Sequence, residues 1–166
     1  MNKPQSLRDF LTGAIRELQE SPDRLLVFIT GGSLASTLAP GRSFEYRYTL
    51  KLVITDFGLH PDAVMVPLLD WLRIHQPELL ANPALRDQVR FEAEVLANDK
   101  VDLELTLPLT ERVGVHKQED GTVHVEHYPE PEIPGDYPPR HWQLYLRPGE
   151  ILIAEWDAPA TWPVDG

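Results

Sequence analysis

Residues 43–57 read SFEYRYTLKLVITDF, and apolar and polar side chains alternate here more regularly than anywhere else in the chain. The alternating apolar positions are Phe44, Tyr46, Tyr48, Leu50, Leu52 and Ile54. Successive side chains of a strand point to opposite faces, so this pattern predicts a long strand with one core face and one polar face. Together with the two helical segments described below, this strand predicts an α+β fold, in which a mixed or antiparallel sheet carries two main helices on one face.

The stretch before this strand, VFITGGSLASTL at residues 27–38, contains two adjacent glycines, Gly31 and Gly32. A strand followed by glycines can begin a phosphate-binding loop, but such a loop needs a helix whose N-terminus points at the anion. The residues after Gly32 show no helical pattern and no lysine. We therefore favour a two-residue hairpin turn at Gly31-Gly32 over ligand binding.

Two segments carry apolar residues at helical spacing. Residues 6–20 predict an amphipathic helix that Ser6 caps and that ends before Ser21. Residues 61–76 predict a second helix, and Pro67 inside it predicts a kink or a restart because proline removes one backbone hydrogen bond.

The segment RFEAEVLANDKVDLELTL at residues 90–107 predicts a hairpin. A loop at residues 98–100 would set Val95 opposite Leu103 and Glu94 opposite Glu104. The polar side of this hairpin becomes an acidic face formed by Glu92, Glu94, Asp102 and Glu104. Paired carboxylates could share a proton, as the acid–base site of a small hydrolase requires. We favour a solvated sheet face with counter-charge from Arg47 and Lys51, because cross-strand repulsion of one such pair costs only ~0.2–1 kcal/mol.

A second hairpin is predicted at residues 111–128, ERVGVHKQEDGTVHVEHY, and we expect it to protrude. Its loop of Glu119, Asp120 and Gly121 requires a left-handed glycine and sets Val115 opposite Val125. The same register sets two imidazoles opposite each other, those of His116 and His124. We interpret them as an exposed polar pair rather than a zinc site, since structural zinc takes about four ligands and the chain has no cysteine.

The C-terminal part begins with PEPEIPGDYPPR at residues 129–140, where five of twelve positions are proline. This composition predicts a linker or extended arm. We expect an α+β core domain at residues 1–128 and a C-terminal hairpin and tail at residues 141–166, in the same domain or as an interface arm. The possible protein-interface residues are Glu119, Asp120, Gly121, Tyr137, Trp156 and Trp162. Core packing is an equal alternative for Trp156.

Composition excludes several function classes. The chain has 166 residues with 26 acidic and 15 basic ones, a formal charge of −11, which disfavours nucleic-acid binding because that affinity comes largely from Lys and Arg. No stretch approaches the ~20 consecutive apolar residues of a membrane span, so we expect a soluble, unexported protein. None of the catalytic motifs with a recognised mechanism occurs, and we predict no catalytic residue, metal or cofactor.

Five segments together resemble one protein family, and they occur in its order through residues 1 to about 113. They are MNKPQSLRDFL, PDRLLVFITGG, SFEYRYTLKLVITDF, VMVPLLDWLRIHQPE and LTLPLTERV. They are similar to the tail completion protein R (GpR) family of contractile-tailed temperate phages and their prophage remnants. The match consists of long unbroken stretches and is therefore specific.

The resemblance implies a non-enzymatic virion protein at the head-proximal end of the tail, assembled in the host bacterial cytoplasm. It implies tail tube or sheath terminal subunits and head–tail connector proteins as partners. By analogy with the tail terminators of other phages, it implies a homo-hexameric ring through which DNA passes unbound. The alternatives are a small hydrolase using the acidic face and a monomeric α+β ligand-binding module.

Overall fold

The computed structural model describes residues 1–37, 41–96, 98–131 and 138–159. Helices and strands follow each other in the order α1 (Lys3–Ala14), α2 (Arg16–Glu20), β1 (Leu25–Ser36), β2 (Phe44–Phe57), α3 (Asp62–His75), α4 (Glu78–Ala81), β3 (Arg90–Val95), β4 (Val101–Lys117), β5 (Val123–His127), β6 (Pro139–Leu146) and β7 (Ile151–Pro159). A 3₁₀ turn, Pro22–Arg24, precedes β1. None of the described helices has the length and apolarity needed to cross a membrane. The predicted α+β class is confirmed.

The main sheet has five antiparallel strands in the order β1-β2-β4-β3, and β5 pairs with the far end of β4. β2 confirms the alternation predicted for residues 43–57, because Leu50, Leu52 and Ile54 are fully buried while Arg47 is exposed. The buried leucines of α1 and α3 belong to the same apolar core as this sheet face. The two helices therefore lie on one face of the sheet, as expected.

The first predicted helix, residues 6–20, is two helices that meet at Ile15. Ile15 adopts an extended backbone (φ −112°, ψ 112°) and its buried side chain joins the core. The helix also begins earlier than predicted, at Lys3, so Ser6 is not its cap. The Ser6 hydroxyl instead accepts a hydrogen bond from Trp71 Nε1 at 3.2 Å, which joins α1 to α3.

α3 runs as one helix of 14 residues through Pro67, so the predicted restart does not occur. Pro67 is buried. The missing N–H at this position costs one hydrogen bond within the helix, which continues past it nevertheless.

The prediction of a turn at Gly31-Gly32 is wrong. β1 continues through both glycines, which pair with Thr49 and Tyr48 of β2, and the chain reverses after Ser36. A bulge between Ile29 and Gly31 shifts the register. Glycine at position 32 has another role: a Cβ there would lie 3.0 Å from the Arg47 carbonyl oxygen and 3.1 Å from Tyr48 Cβ, closer than ordinary van der Waals contact. Glycine here allows a close approach of two strands rather than a turn.

The predicted register of the β3–β4 hairpin is wrong by two residues. Val95 lies opposite Val101 and Ala93 opposite Leu103. The Leu96 N–H donates to the Lys100 carbonyl at 2.8 Å, and Asp99 adopts a left-handed backbone (φ 56°), so the loop lies one residue earlier than expected. A two-residue slip leaves each side chain on its original face, and alternation alone therefore cannot detect it.

The C-terminal hairpin of β6 and β7 forms separately from the main sheet, around Pro148-Gly149 as predicted. Ile153, Ala154 and Trp156 of β7 are buried and belong to the core that α1 and α3 also form. Trp156 Nε1 donates to Asp70 Oδ2 of α3 at 2.9 Å. The core-packing alternative for Trp156 is therefore the one that this chain adopts.

Candidate interaction surfaces

The four acids predicted to form an acidic face lie on one face of the β3–β4 hairpin, but the cross-strand pairs differ from the predicted ones. Glu92 lies opposite Glu104, and Glu94 lies opposite Asp102, on the sheet face away from the helices. Lys51 Nζ contacts Glu104 Oε1 at 2.6 Å, and Asp102 Oδ1 accepts a hydrogen bond from a backbone N–H of β2. These contacts fit a solvated sheet face with counter-charge.

A buried polar cluster that the sequence patterns did not indicate surrounds Glu111 of β4. Its carboxylate accepts hydrogen bonds from the Tyr48 hydroxyl at 2.5 Å and from the backbone N–H groups of Asn2 and Lys3. His127 Nδ1 lies 3.4 Å from Glu111 Oε2. Burial alone would raise the pKa of Glu111, but these donors outweigh it and lower the pKa below its ordinary value. Burial and the hydrogen bond to Glu111 raise the pKa of Tyr48.

Lys3 extends this cluster toward the proline-rich tract. Its ammonium group donates to Gln76 Oε1 at 2.7 Å and to Glu130 Oε1 at 2.8 Å. Gln76 is fully buried, and its Oε1 also accepts from the N–H of Thr110. The start of the tract, at Glu130, is thus held against the N-terminus of α1. A signal for Lys3 and Glu130 was absent from local patterns, since 127 positions separate them.

The β4–β5 hairpin has the predicted register, with Val115 opposite Val125 and His116 opposite His124. Gly121 adopts the predicted left-handed backbone at φ 87°. Asp120 accepts hydrogen bonds from the backbone N–H and the hydroxyl of Thr122, and these bonds lower its pKa below the ordinary value.

Metal ligands are not gathered anywhere in the described ranges: no three His, Asp or Glu side chains there come close enough to hold an ion. His116 Nε2 contacts the Tyr128 hydroxyl at 3.0 Å and Glu126 at 3.5 Å instead. Tyr137 and Trp162 lie outside the described residues.

An open groove of about 450 Å³ lies beside the two glycines. Its lining includes Gly31, Gly32 and Ser33 together with Gln76 and Glu78. Arg47 also borders the groove, and its side chain pairs with Glu45 at 2.6 Å. The glycines thus leave open space beside the sheet, but no helix N-terminus follows them.

These features define the class of an α+β protein with candidate contact surfaces, namely the acidic sheet face and the exposed β4–β5 hairpin. The sequence profile of the P2 phage tail completion protein R (GpR) family matches residues 1–131. Tail completion protein R of Escherichia phage P2 is 40% identical over 158 residues, which covers 95% of this chain and 99% of that protein. No solved structure matches the chain.

The chain therefore belongs to the phage tail completion protein R family. Membership makes it a structural component of the virion tail, where it interacts with other tail components. The family resemblance inferred from the five quoted segments is confirmed, and the profile extends it from about residue 113 to residue 131.

Proposed function

We propose that this protein completes the tail at its head-proximal end, where it caps the last ring of tube or sheath subunits and supports joining to the head. The observation that carries this proposal is the 40% identity to the tail completion protein of phage P2 along nearly the whole of both chains. In this role the protein acts by contact, without a catalytic step.

A ring of about six copies suits this role, because identical subunits that meet head to tail form a closed ring with two different ends. One end would contact the tail tube, and the other would contact head–tail connector proteins. The exposed loop of Glu119, Asp120 and Gly121 supports this arrangement, since it extends beyond the sheet on a two-stranded hairpin. Trp162 and Tyr137 are further contact candidates because aromatic side chains often anchor protein interfaces.

The acidic face has a use if it lines the bore of the ring. Glu92, Glu94, Asp102 and Glu104 lie together on the helix-free sheet face, and Lys51 contacts only one of them among the described contacts. Carboxylates repel the phosphate backbone, so DNA would pass such a lining without binding to it.

Deleting the gene from its phage and imaging the particles tests the proposal. We expect tails of irregular length or tails without heads, and supplying the wild-type chain from a plasmid restores normal particles. Normal tails of normal length, joined to heads, would contradict the proposed function.

The contact loop is tested in the same background with Glu119→Ala/Asp120→Ala. We expect fewer head-joined tails, because the variant removes two exposed charges at the hairpin tip without touching the core. The matched control is Asp87→Ala, which removes an exposed charge in the turn before β3. Equal yields from the two variants would show that the loop makes no essential contact.

Replacing the four acids together, as Glu92→Gln/Glu94→Gln/Asp102→Asn/Glu104→Gln, tests the bore. We expect assembled particles that deliver DNA poorly. Unchanged delivery would place the acidic face elsewhere. Loss of a measurable turnover with unchanged assembly would instead favour the hydrolase alternative.

A further inference from the structure

β1 has an outer edge without a strand partner in the described part of the chain, because the sheet ends there. Its sequence, LLVFITGGSLAS, contains no charged residue and no proline. Natural sheet edges usually carry charges or prolines that block pairing with another chain. The bulge after Ile29 interrupts the edge, but it leaves the segment from Leu25 to Ile29 regular.

The backbone groups that this edge offers can be assigned. The Leu25 carbonyl accepts a hydrogen bond from Arg8 Nη1 at 2.5 Å and therefore points away from β2. Backbone groups of an antiparallel strand alternate in direction, so those of Val27 and Ile29 also point outward. Both residues can therefore receive a new strand.

The opposite end of the same sheet is β3, whose outer edge likewise has no strand partner among the described residues. All six of its residues are exposed, with Phe91 at 63% and Val95 at 79%. The Thr110 N–H donates to the Gln76 side chain rather than to β2, so the backbone groups of the even-numbered β4 residues point away from β2. Their paired residues on β3 are Arg90, Glu92 and Glu94. The backbone groups of the odd-numbered β3 residues, including Ala93, therefore point outward.

We propose that β1 of one copy pairs with β3 of the next copy, so that a single sheet continues from subunit to subunit. Strand direction alternates along β1, β2, β4 and β3. If the next copy continues the sheet with its helices on the same side and its strands in the same directions, its β1 therefore runs antiparallel to β3 of the first copy. Paired residues share a face, so Val27 and Ile29 would lie beside Phe91 and Val95 on the side that carries the helices.

Charge favours this occupant over the alternatives. The chain carries −11, so copies repel each other except where charge is absent. β1 has no charge, and its pairing with β3 brings no like charges together, whereas β3–β3 pairing would bring Glu92 and Glu94 of two copies together. Pairing of β1 with β1 would leave the apolar side chains of β3 uncovered. The β1–β3 contact covers both edges of every copy and can close a ring.

This inference rests on the proposed assembly of several copies and deepens it by naming the two edges that join. The absence of cysteine makes cross-linking a direct test. We take the register that sets Ile29 opposite Ala93 and Val27 opposite Val95. The variant Ile29→Cys/Ala93→Cys then places two cysteine side chains opposite each other on the face that carries the helices. It is supplied as the sole copy in particle-forming cells, and purified particles are oxidised mildly and run on a non-reducing gel.

We expect a ladder of dimers, trimers and larger species that a reductant collapses to the monomer. Neither single variant gives species beyond the monomer, and neither does Arg16→Cys/Asp87→Cys, which places cysteines at exposed sites away from both edges. Dimers from Ile29→Cys alone would show β1–β1 pairing and overturn the proposal. Particles that contain the double variant only as monomer would also overturn it, while leaving the proposed function intact.

A charge placed on the edge gives an independent test. Ile29→Lys is compared with Leu69→Lys on α3, since the two side chains are 38% and 39% exposed. We expect similar shifts in unfolding midpoint for the two variants but loss of completed tails only for Ile29→Lys. Equal tail completion by the two variants would overturn the edge contact, and the deletion experiment would still decide the proposed function separately.

Discussion

The two glycines of β1 make opposite demands on a substituted side chain, although they are adjacent in sequence. A Cβ at Gly31 would meet no atom within 4 Å, whereas a Cβ at Gly32 would lie 3.0 Å from the Arg47 carbonyl oxygen. That oxygen belongs to the backbone of β2, so it cannot rotate away as a flexible side chain could. Alanine at these two positions therefore separates close strand packing from backbone freedom.

The magnitude follows from two contributions. Alanine in place of glycine within a strand stabilises by roughly 0.5–1 kcal/mol, because the unfolded chain loses freedom. This gain applies equally to Gly31→Ala and Gly32→Ala. Gly32→Ala also forces an atom into a packed space, which costs ~1–3 kcal/mol. We therefore expect Gly31→Ala to be slightly more stable than the wild type and the two variants to differ by ~1–3 kcal/mol.

Urea unfolding monitored by tryptophan fluorescence measures this difference. With a denaturant slope of about 2 kcal/mol per molar, the midpoints of the two variants should lie roughly 0.5–1.5 M apart. Equal midpoints would refute the close-approach argument. Strong destabilisation by both substitutions would instead favour a turn with left-handed glycines, in which alanine is strained at either position.

Three further predictions concern the core and the hairpin. Because its pKa is lowered in the folded protein, ionised Glu111 stabilises the fold above its ordinary pKa of 4.5, and this contribution is lost as the pH falls below that value. In unfolding experiments at decreasing pH, the stability of the wild type should therefore fall more steeply than that of Glu111→Gln. Trp156→Phe keeps most of the apolar bulk but loses the hydrogen bond to Asp70. Thermal unfolding should show a loss of ~1–3 kcal/mol in the free energy of unfolding, and no loss would show that this bond is dispensable. A Cβ at Gly114 would lie 2.2 Å from the Tyr128 hydroxyl and 2.8 Å from His116 Nε2, both of which are side-chain atoms that can rotate away. We therefore expect Gly114→Ala to cost less than the ~1–3 kcal/mol of overpacking against fixed atoms, and thermal unfolding of Gly114→Ala in a His116→Ala/Tyr128→Ala background should show no cost of the alanine; a loss that persists there would refute the clash.

Much of the fold could be predicted because its signals are local. The alternation of residues 43–57 predicts β2 and its buried face correctly, and the loop at Gly121 sets the register of the β4–β5 hairpin. The acidic face was also predictable, since a two-residue slip in the β3–β4 register does not move a side chain to the other face.

The candidate surfaces were less accessible to sequence reasoning. The cluster around Glu111 joins residues more than a hundred positions apart, and no periodicity reports such contacts. Strand order places β1 and β3 at the ends of the sheet within the described ranges, and alternation does not encode strand order. Trp156 could serve as an interface anchor or a core residue on sequence alone, and its burial beside Asp70 decides between them for this chain.

What the sequence by itself determined was the class of each main segment, the faces of its strands, the strong negative charge and the family. These follow from side-chain period and composition, which act over a few residues or over the whole chain. The tertiary structure alone decided that Gly31 and Gly32 lie within a strand, because the partner strand β2 extends past both of them. It also decided which strands end the sheet within the described ranges, since an edge lacks a partner there only where no other described segment supplies its hydrogen bonds.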